Sequence, residues 1–353
     1  MKKIISMFLA VVMLVLFLCP ASAFAYEPSY GVYKHVFIIG IDGAGGFIKN
    51  TDTPNFDRIF GSGAISYNAR AEVRTNSADN WASMLTGVSF LKHGINNDNI
   101  GDVEITSESE YPTVFTYVRE ALPEAQLASF VNWNSINVGI IETDIGIVKD
   151  NYPDDERLTD MICDYLNDGN SPALMFVQFD SVDHEGHATN CNSEEYLNQI
   201  SVVDGYLGRI YDTVASNGML EDSLFIAVSD HGHLRQYGGH GGITMDESMT
   251  TLAVSGKTVI TGSEMDNDVR NRDVAAIALY ALGIEKPSYM TSRIPGNLFL
   301  GVKGEIRPVF KDPLDWMLSN LSWIITSMTD NEIGFTIYAE VYKAGAKIIN
   351  SFS

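Results

Sequence analysis

A chain of 353 residues with 45 acidic and 23 basic side chains carries a net charge of −22. Such a surface repels nucleic-acid backbones and anionic membranes, which excludes a nucleic-acid polymer as partner but leaves room for a small anion at a metal centre. The length suits one large α/β domain or two smaller ones, and no internal repeat or low-complexity linker divides it.

The first segment reads as a targeting signal. Lys2 and Lys3 form a positive start, Ile4 to Leu18 is apolar apart from Ser6, and Ala23-Phe24-Ala25 supplies a small-x-small cleavage pattern. The apolar run falls short of the roughly 20 residues that span a bilayer. Residues 1–25 are therefore expected to be a removed signal peptide, leaving a secreted or extracytoplasmic chain that starts near Tyr26 and has no transmembrane span. Loss of Lys2 and Lys3 leaves 21 basic against 45 acidic side chains, a net charge of −24. Export permits a disulfide between Cys163 and Cys191, although two cysteines make neither a disulfide scaffold nor a zinc knuckle.

Strands and helices then alternate. An apolar run of buried-strand type at Val36–Ile41 ends on Asp42-Gly43. The polar cluster Arg74-Thr75-Asn76-Ser77-Ala78-Asp79-Asn80-Trp81 opens a helix over Ala78–Leu85. Ser77 suits an N-cap, with Asn80 answering it in a weak capping box. A hydroxyl at a helix N-terminus also sits among free N–H groups that favour phosphate. Helices are expected over Thr113–Ala121 after Pro112 and over Asp155–Leu166 after Pro153, with a strand at Leu127–Val131 between them. The strand Leu174–Phe179 leads into Asp180-Ser181-Val182-Asp183-His184-Glu185-Gly186-His187. A long helix over Glu194–Ala215 precedes the strand Leu224–Val228, which leads into Ser229-Asp230-His231-Gly232. His240 follows in a glycine loop, Gly238–Gly242, and a helix is expected over Asp273–Leu282.

This alternation predicts a three-layer α/β/α sandwich with a mostly parallel central sheet over residues 26–305. Function in such sheets collects at the carboxyl ends of the strands. Asp42, Asp183, His187, Asp230, His231 and His240 all fall there. Singly, each has an ordinary explanation as a turn former, a surface pair or a hydrogen-bonded histidine. Together they form a nitrogen and oxygen donor set suited to Zn²⁺, with Mn²⁺ as the alternative. Beyond Pro308, apolar residues from Leu314 to Met328 recur at helical spacing, so 306–353 reads as a C-terminal helical extension. It would pack on the catalytic domain or act as an interfacial appendage giving weak surface association.

The order Asp42, Ser77, Asp183/His187, Asp230-His231, His240 resembles the alkaline phosphatase superfamily, most of all its nucleotide pyrophosphatase/phosphodiesterase branch. Ser77 stands nine residues before Thr86-Gly87, the spacing of the superfamily nucleophile, whereas Thr75 does not. Asn80 matches the Asn three residues after the nucleophile in that branch. Asp183 to His187 matches its Asp-x-x-Gly-His, Ser229 to Gly232 its Ser-Asp-His-Gly, and His240-Gly241 its later His-Gly. Lys92-His93-Gly94-Ile95 resembles the segment after the nucleophile helix, with His93 structural. The resemblance runs from about Val36 to Gly283.

It implies two Zn²⁺ sites, one held by Asp183, His187 and His240 and one by Asp42, Asp230 and His231, with Ser77 on the second. It further implies that Ser77 attacks a small phosphate ester to form a phosphoserine, and that Asn80 donates to a transition-state oxygen. The implied activity is that of a phosphodiesterase or nucleotide pyrophosphatase. An alkaline phosphomonoesterase on the same site is the alternative, with a sulfatase or a silent surface protein as further readings. Departures exist: Asp79 replaces a usual Pro and would set a carboxylate near the phosphate pocket, and Asp79 and Trp81 stand where sulfatases place Pro and Arg. Arg74 and Arg235 are candidate phosphate-binding arginines, and Asn96–Ser109 and Asn132–Asn151 candidate pocket walls.

Overall fold

The structure is a computed structural model that describes residues 29–307 other than Val73, together with Asp315 and Met317. The signal peptide expected over 1–25 lies outside the described residues, as does the helical extension apart from Ile306, Arg307, Asp315 and Met317.

Eight strands form one sheet: β1 His35–Ile41, β2 Ala64–Arg70, β3 Leu127–Val131, β4 Val148–Asn151, β5 Leu174–Phe179, β6 Ser223–Val228, β7 Met249–Ser255 and β8 Ser263–Glu264. Their order across the sheet is β4-β3-β5-β1-β6-β7-β2-β8. β1 lies at the centre and runs parallel to β5 on one side and β6 on the other. Among the described strands, β7 runs against the rest, antiparallel to both β6 and β2.

The central strands are apolar throughout because both of their faces are covered. Every residue of β1, β3, β5 and β6 is buried. Alternate side chains sort into two cores. Val36, Ile38, Leu174, Phe176, Leu224 and Ile226 meet the helices Ser77–Thr86, Val114–Ala121 and Asp273–Ala281. Phe37, Ile39, Met175, Val177, Phe225 and Ala227 meet the helices Pro54–Phe60, Asp155–Asn167 and Glu194–Ser216. This is the three-layer α/β/α sandwich, with a mostly parallel sheet.

Helix starts are set by local hydrogen bonds. The side chains of Thr113, Asp154 and Ser193 accept from the N–H groups of Phe115, Arg157 and Tyr196. β2, β4, β7 and β8 had no counterpart in the apolar pattern. β4 is a polar, exposed edge strand and β8 has two residues, so pairing rather than burial defines them. The disulfide permitted by export is not formed, since Cys163 and Cys191 are free thiols. Cys163 sits on the Asp155–Asn167 helix and accepts from Thr213 Oγ1 at 3.3 Å, while Cys191 is buried in the turn before Glu194–Ser216.

Behind the Ser77–Thr86 helix lies a buried ionic network. Arg272 grips Glu72 through two hydrogen bonds of 2.7 and 2.6 Å and also reaches Asp315 at 2.9 Å. Arg270 donates to the same Asp315 at 3.3 Å. Asp315, from the C-terminal extension, thus balances charge inside the catalytic domain. Removing one partner of a buried ion pair strands the other in low dielectric, so Asp315→Ala is expected to cost about 3 kcal/mol or more. Urea denaturation should show a lower midpoint with an unchanged slope.

Candidate active site

β5, β1 and β6 end side by side, so Asp183, Asp42 and Asp230-His231 emerge together at one edge of the sheet. His231 Nε2 lies 3.2 Å from Asp230 Oδ2, 3.4 Å from Asp42 Oδ1 and 3.1 Å from Ser77 Oγ. His231 Nδ1 lies 3.1 Å from the Gly232 carbonyl; a proton there donates to that oxygen and leaves the lone pair on Nε2. Each carboxylate has one oxygen satisfied. Asp42 Oδ2 accepts from Trp81 Nε1 and Gln178 Nε2, both at 2.9 Å. Asp230 Oδ1 accepts the N–H groups of Gly43 and His231 at 3.1 and 2.9 Å. The other oxygens, Asp42 Oδ1 and Asp230 Oδ2, are buried without a hydrogen bond.

Asp183, His187 and His240 also meet. Asp183 Oδ2 is 3.5 Å from His187 Nε2, Asp183 Oδ1 is 3.5 Å from His240 Nε2, and the two imidazole nitrogens stand 3.1 Å apart. His240 Nδ1 lies 2.6 Å from the Thr75 carbonyl, which fixes its tautomer in the same way. The loop presenting it bends at Gly239 and Gly241, whose φ angles of +81° and +108° suit glycine. Asp183 Oδ1 lies 3.9 Å from His231 Nε2 as well, so this carboxylate faces both groups.

The electrostatics fit a cation site. Burial, then the neighbouring Asp230 and Asp183, push Asp42 well above the usual carboxylate range. Burial does the same to Asp230 despite its two N–H donors. Asp180 is pushed up to about 6 by burial and by Asp183. Burial also opposes ionisation of Asp183, but His233, His231 and His240 outweigh it and hold that carboxyl low. Burial and the neighbouring His240 drive His231 well below the ordinary imidazole range, and burial pushes His240 down to about 4. Acids that resist ionising, imidazoles that resist protonation and orphaned oxygens around one cleft are what a divalent ion would relieve. Among the described residues, three groups have donor atoms within 4.8 Å of one another: Asp183, His231 and His240; Asp42, Asp230 and His231; and Asp42, Asp180 and Asp183.

Ser77 lies at the edge of this cleft. It is the first residue of the Ser77–Thr86 helix rather than its cap, which is Asn76. The expected Ser77–Asn80 capping box therefore does not form. Thr75 is spent: its hydroxyl donates to the Gly242 carbonyl at 3.1 Å and accepts from Gly241 N–H at 2.9 Å. Asn80 is corrected too. It is fully buried, its Oδ1 accepts from Glu72 N–H at 2.7 Å, and its Nδ2 donates to the Asn76 carbonyl at 2.9 Å. Both ends of that amide tie down the loop before Ser77 and offer nothing to a substrate. Asn97 takes the exposed position instead, with Oδ1 accepting from Ala78 N–H at 2.9 Å beside the nucleophile.

Asp79 does not face the pocket either. It is buried against Arg74, whose Nη2 donates to it at 2.9 Å, and burial outweighs that pairing to push the carboxyl up to about 6. Arg235 is held by Asp246 through bonds of 2.5 and 2.7 Å. Arg74 keeps its Nε without a hydrogen bond, and Arg235 is closed onto one carboxylate. His93 is structural as expected, bridging Ser83 Oγ at 2.8 Å and Ile95 N–H at 3.0 Å. Asp180 had drawn no assignment from the sequence, and Asn97 only a place in the candidate pocket wall Asn96–Ser109. Asp180 could have been found as the first acid of Asp180-x-x-Asp183, and Asn97 only from the fold.

The family model for type I phosphodiesterase/nucleotide pyrophosphatase matches residues 36–276. The chain belongs to that family. Over 144 residues it is 29% identical to GPI ethanolamine phosphate transferase 1 of Aspergillus oryzae, covering 35% of this chain and 14% of that protein. Over 186 residues it is 23% identical to the Candida glabrata protein of the same name, covering 47% of this chain and 19% of that one. The chain thus spans less than a fifth of the length of these relatives. Murine ectonucleotide pyrophosphatase/phosphodiesterase 5 shares the fold at a TM-score of 0.61 and 13% identity, over 72% of this chain and 96% of that one. Lipoteichoic acid synthase of Listeria monocytogenes does so at a TM-score of 0.56 and 15% identity, over 74% and 75%.

The two asparagines are separable by experiment. Asn80→Ala strands Glu72 N–H, so it should cost about 1–3 kcal/mol in thermal denaturation. Asn97→Ala should leave melting nearly unchanged while lowering turnover by roughly 10²-fold, the scale of one transition-state donor.

Proposed function

We propose that this chain is an exported, divalent-metal-dependent phosphodiesterase in which Ser77 is the nucleophile. The observation that carries the reading is convergence: Asp42 Oδ1 and Asp230 Oδ2, both without a hydrogen bond, meet His231 Nε2 beside Ser77 Oγ. Asp42, Asp230 and His231 would hold one ion next to Ser77, and Asp183, His187 and His240 a second, with Zn²⁺ or Mn²⁺ matching the mixed nitrogen and oxygen donors. Ions bound there supply charge stabilisation for an in-line displacement at phosphorus. Ser77 Oγ forms the bond to phosphorus as the leaving oxygen departs, and water then cleaves the phosphoserine. The positive end of the helix that starts at Ser77 and the Asn97 amide, held beside Ser77 by its bond from Ala78 N–H, would stabilise the developing oxyanion charge.

The engaged state of Arg74 and Arg235 favours a diester, which carries one charge, over a monoester, which carries two. The substrate is a small phosphate ester, since the acidic surface disfavours a nucleic-acid polymer. A second reading follows from the ethanolamine phosphate transferases: a hydroxyl in place of water would accept the phosphoryl group from Ser77. Product analysis with an aryl phosphodiester, in water and with added alcohol acceptors, separates hydrolysis from transfer.

Ser77→Ala is expected to bind metal as the wild type does and to lose about 10⁴-fold in turnover, because only charge stabilisation remains. Near-native turnover would move the nucleophile elsewhere. Chelation should abolish turnover and lower the melting temperature. Zn²⁺ at about 100 times its dissociation constant should return roughly 2.7 kcal/mol of stability. Scanning calorimetry with and without the ion checks this independently of activity.

A further inference from the structure

One imidazole packed against the ligand candidates has no part in that mechanism. His233 is fully buried, and neither of its ring nitrogens makes an aligned hydrogen bond. Its Nε2 stands 2.9 Å from Asp183 Oδ1. Two glycines clear the space for the ring. A methyl-sized group at Gly43 would come within 2.6 Å of His233 Nε2, and one at Gly186 within 2.4 Å of His233 Cδ2. The ring is walled by His187, His240, His231 and Tyr196, with centroids 5.1 to 5.9 Å away. The Tyr196 hydroxyl is turned away, donating to the Gly43 carbonyl at 2.6 Å.

We infer that His233 is a positioning residue that aims Asp183, an inference that rests on the two-ion reading above. Asp183 Oδ1 stands between His240 and His231, at 3.5 and 3.9 Å, while Oδ2 faces His187 at 3.5 Å. A carboxylate drawn toward two ligand groups can rotate about its terminal bond and serve either poorly. His233 Nε2, held 2.9 Å from Oδ1 in a rigid slot, contacts one carboxylate oxygen and not the other, which limits that freedom. Outer partners of this kind orient a ligand and govern metal affinity without touching the ion. The sequence signal is the spacing Asp230-His231-Gly232-His233, in which the second histidine lies two residues beyond the first.

The test compares wild type, His233→Phe, which fills the slot without a donor, and His233→Gln, which restores an N–H. Binding of Zn²⁺ is measured by chelator competition, Co²⁺ spectra are recorded, and chelated and Zn²⁺-loaded samples are melted. The Phe variant should weaken one of the two ions by roughly 10–100-fold and shift the Co²⁺ spectrum, with the other ion retained. Gln should recover part of the loss. His233→Met replaces the Phe variant if that one fails to fold. Two unchanged affinities in a variant without the donor overturn the inference, as does an equal fall in melting for chelated and loaded protein. A wild type that binds no divalent ion fails the two-ion reading itself, an outcome distinct from both.

Discussion

Four carboxylates crowd one edge of a sheet whose interior is apolar, and most of the site answers to that constraint. Asp42 and Asp230 are buried, and Asp180 and Asp183 stand close by. Burying an ionised carboxylate without compensation costs several kcal/mol. The protein compensates only in part, through Trp81 and Gln178 on Asp42 and through backbone N–H groups on Asp230. What remains is a set of oxygens and imidazole nitrogens that could hold a divalent cation. The carbonyls of Gly232 and Thr75 then decide which nitrogen of His231 and of His240 faces the cleft.

The nucleophile loop is held from two sides. Thr75 joins it to the His240 loop through bonds to Gly241 and Gly242, so Ser77 and His240 share a mount. Asn80 joins it to Glu72, and the Glu72 side chain is gripped by Arg272 and, through Arg272, by Asp315. A residue of the C-terminal extension therefore bears on the geometry of Ser77. Arg74 has a left-handed φ of +72°, a conformation that costs energy outside glycine and persists where the surroundings over-determine it. Its pairing with buried Asp79 is that determination.

A fold shared with an ectonucleotide pyrophosphatase, a 2-O GAG sulfatase and a lipoteichoic acid synthase does not choose among their chemistries. The choice lies in small features around a common cleft. Here these are the engaged arginines, the amide of Asn97 beside the helix start, and the His233 slot between Gly43 and Gly186.

Much of this was legible in the amino-acid order. The four central strands and five major helices follow from apolar runs and local caps, both properties of short segments, and their ends agree with the structure to within a residue. The ligand candidates were legible because chemistry-bearing residues sit directly after buried strands. Tertiary structure decided what those side chains face. Asn80 and Asp79 share one helical turn with Ser77, yet burial turned the first onto backbone and the second onto Arg74. Asn97 carries no local signal of its partner, and the spacing of His233 after His231 does not name Asp183, because a residue's partner across space is set by packing and not by its neighbours along the chain. The pattern along the chain determined the fold and the donor set, and the packing of loops over the sheet edge decided which atoms meet.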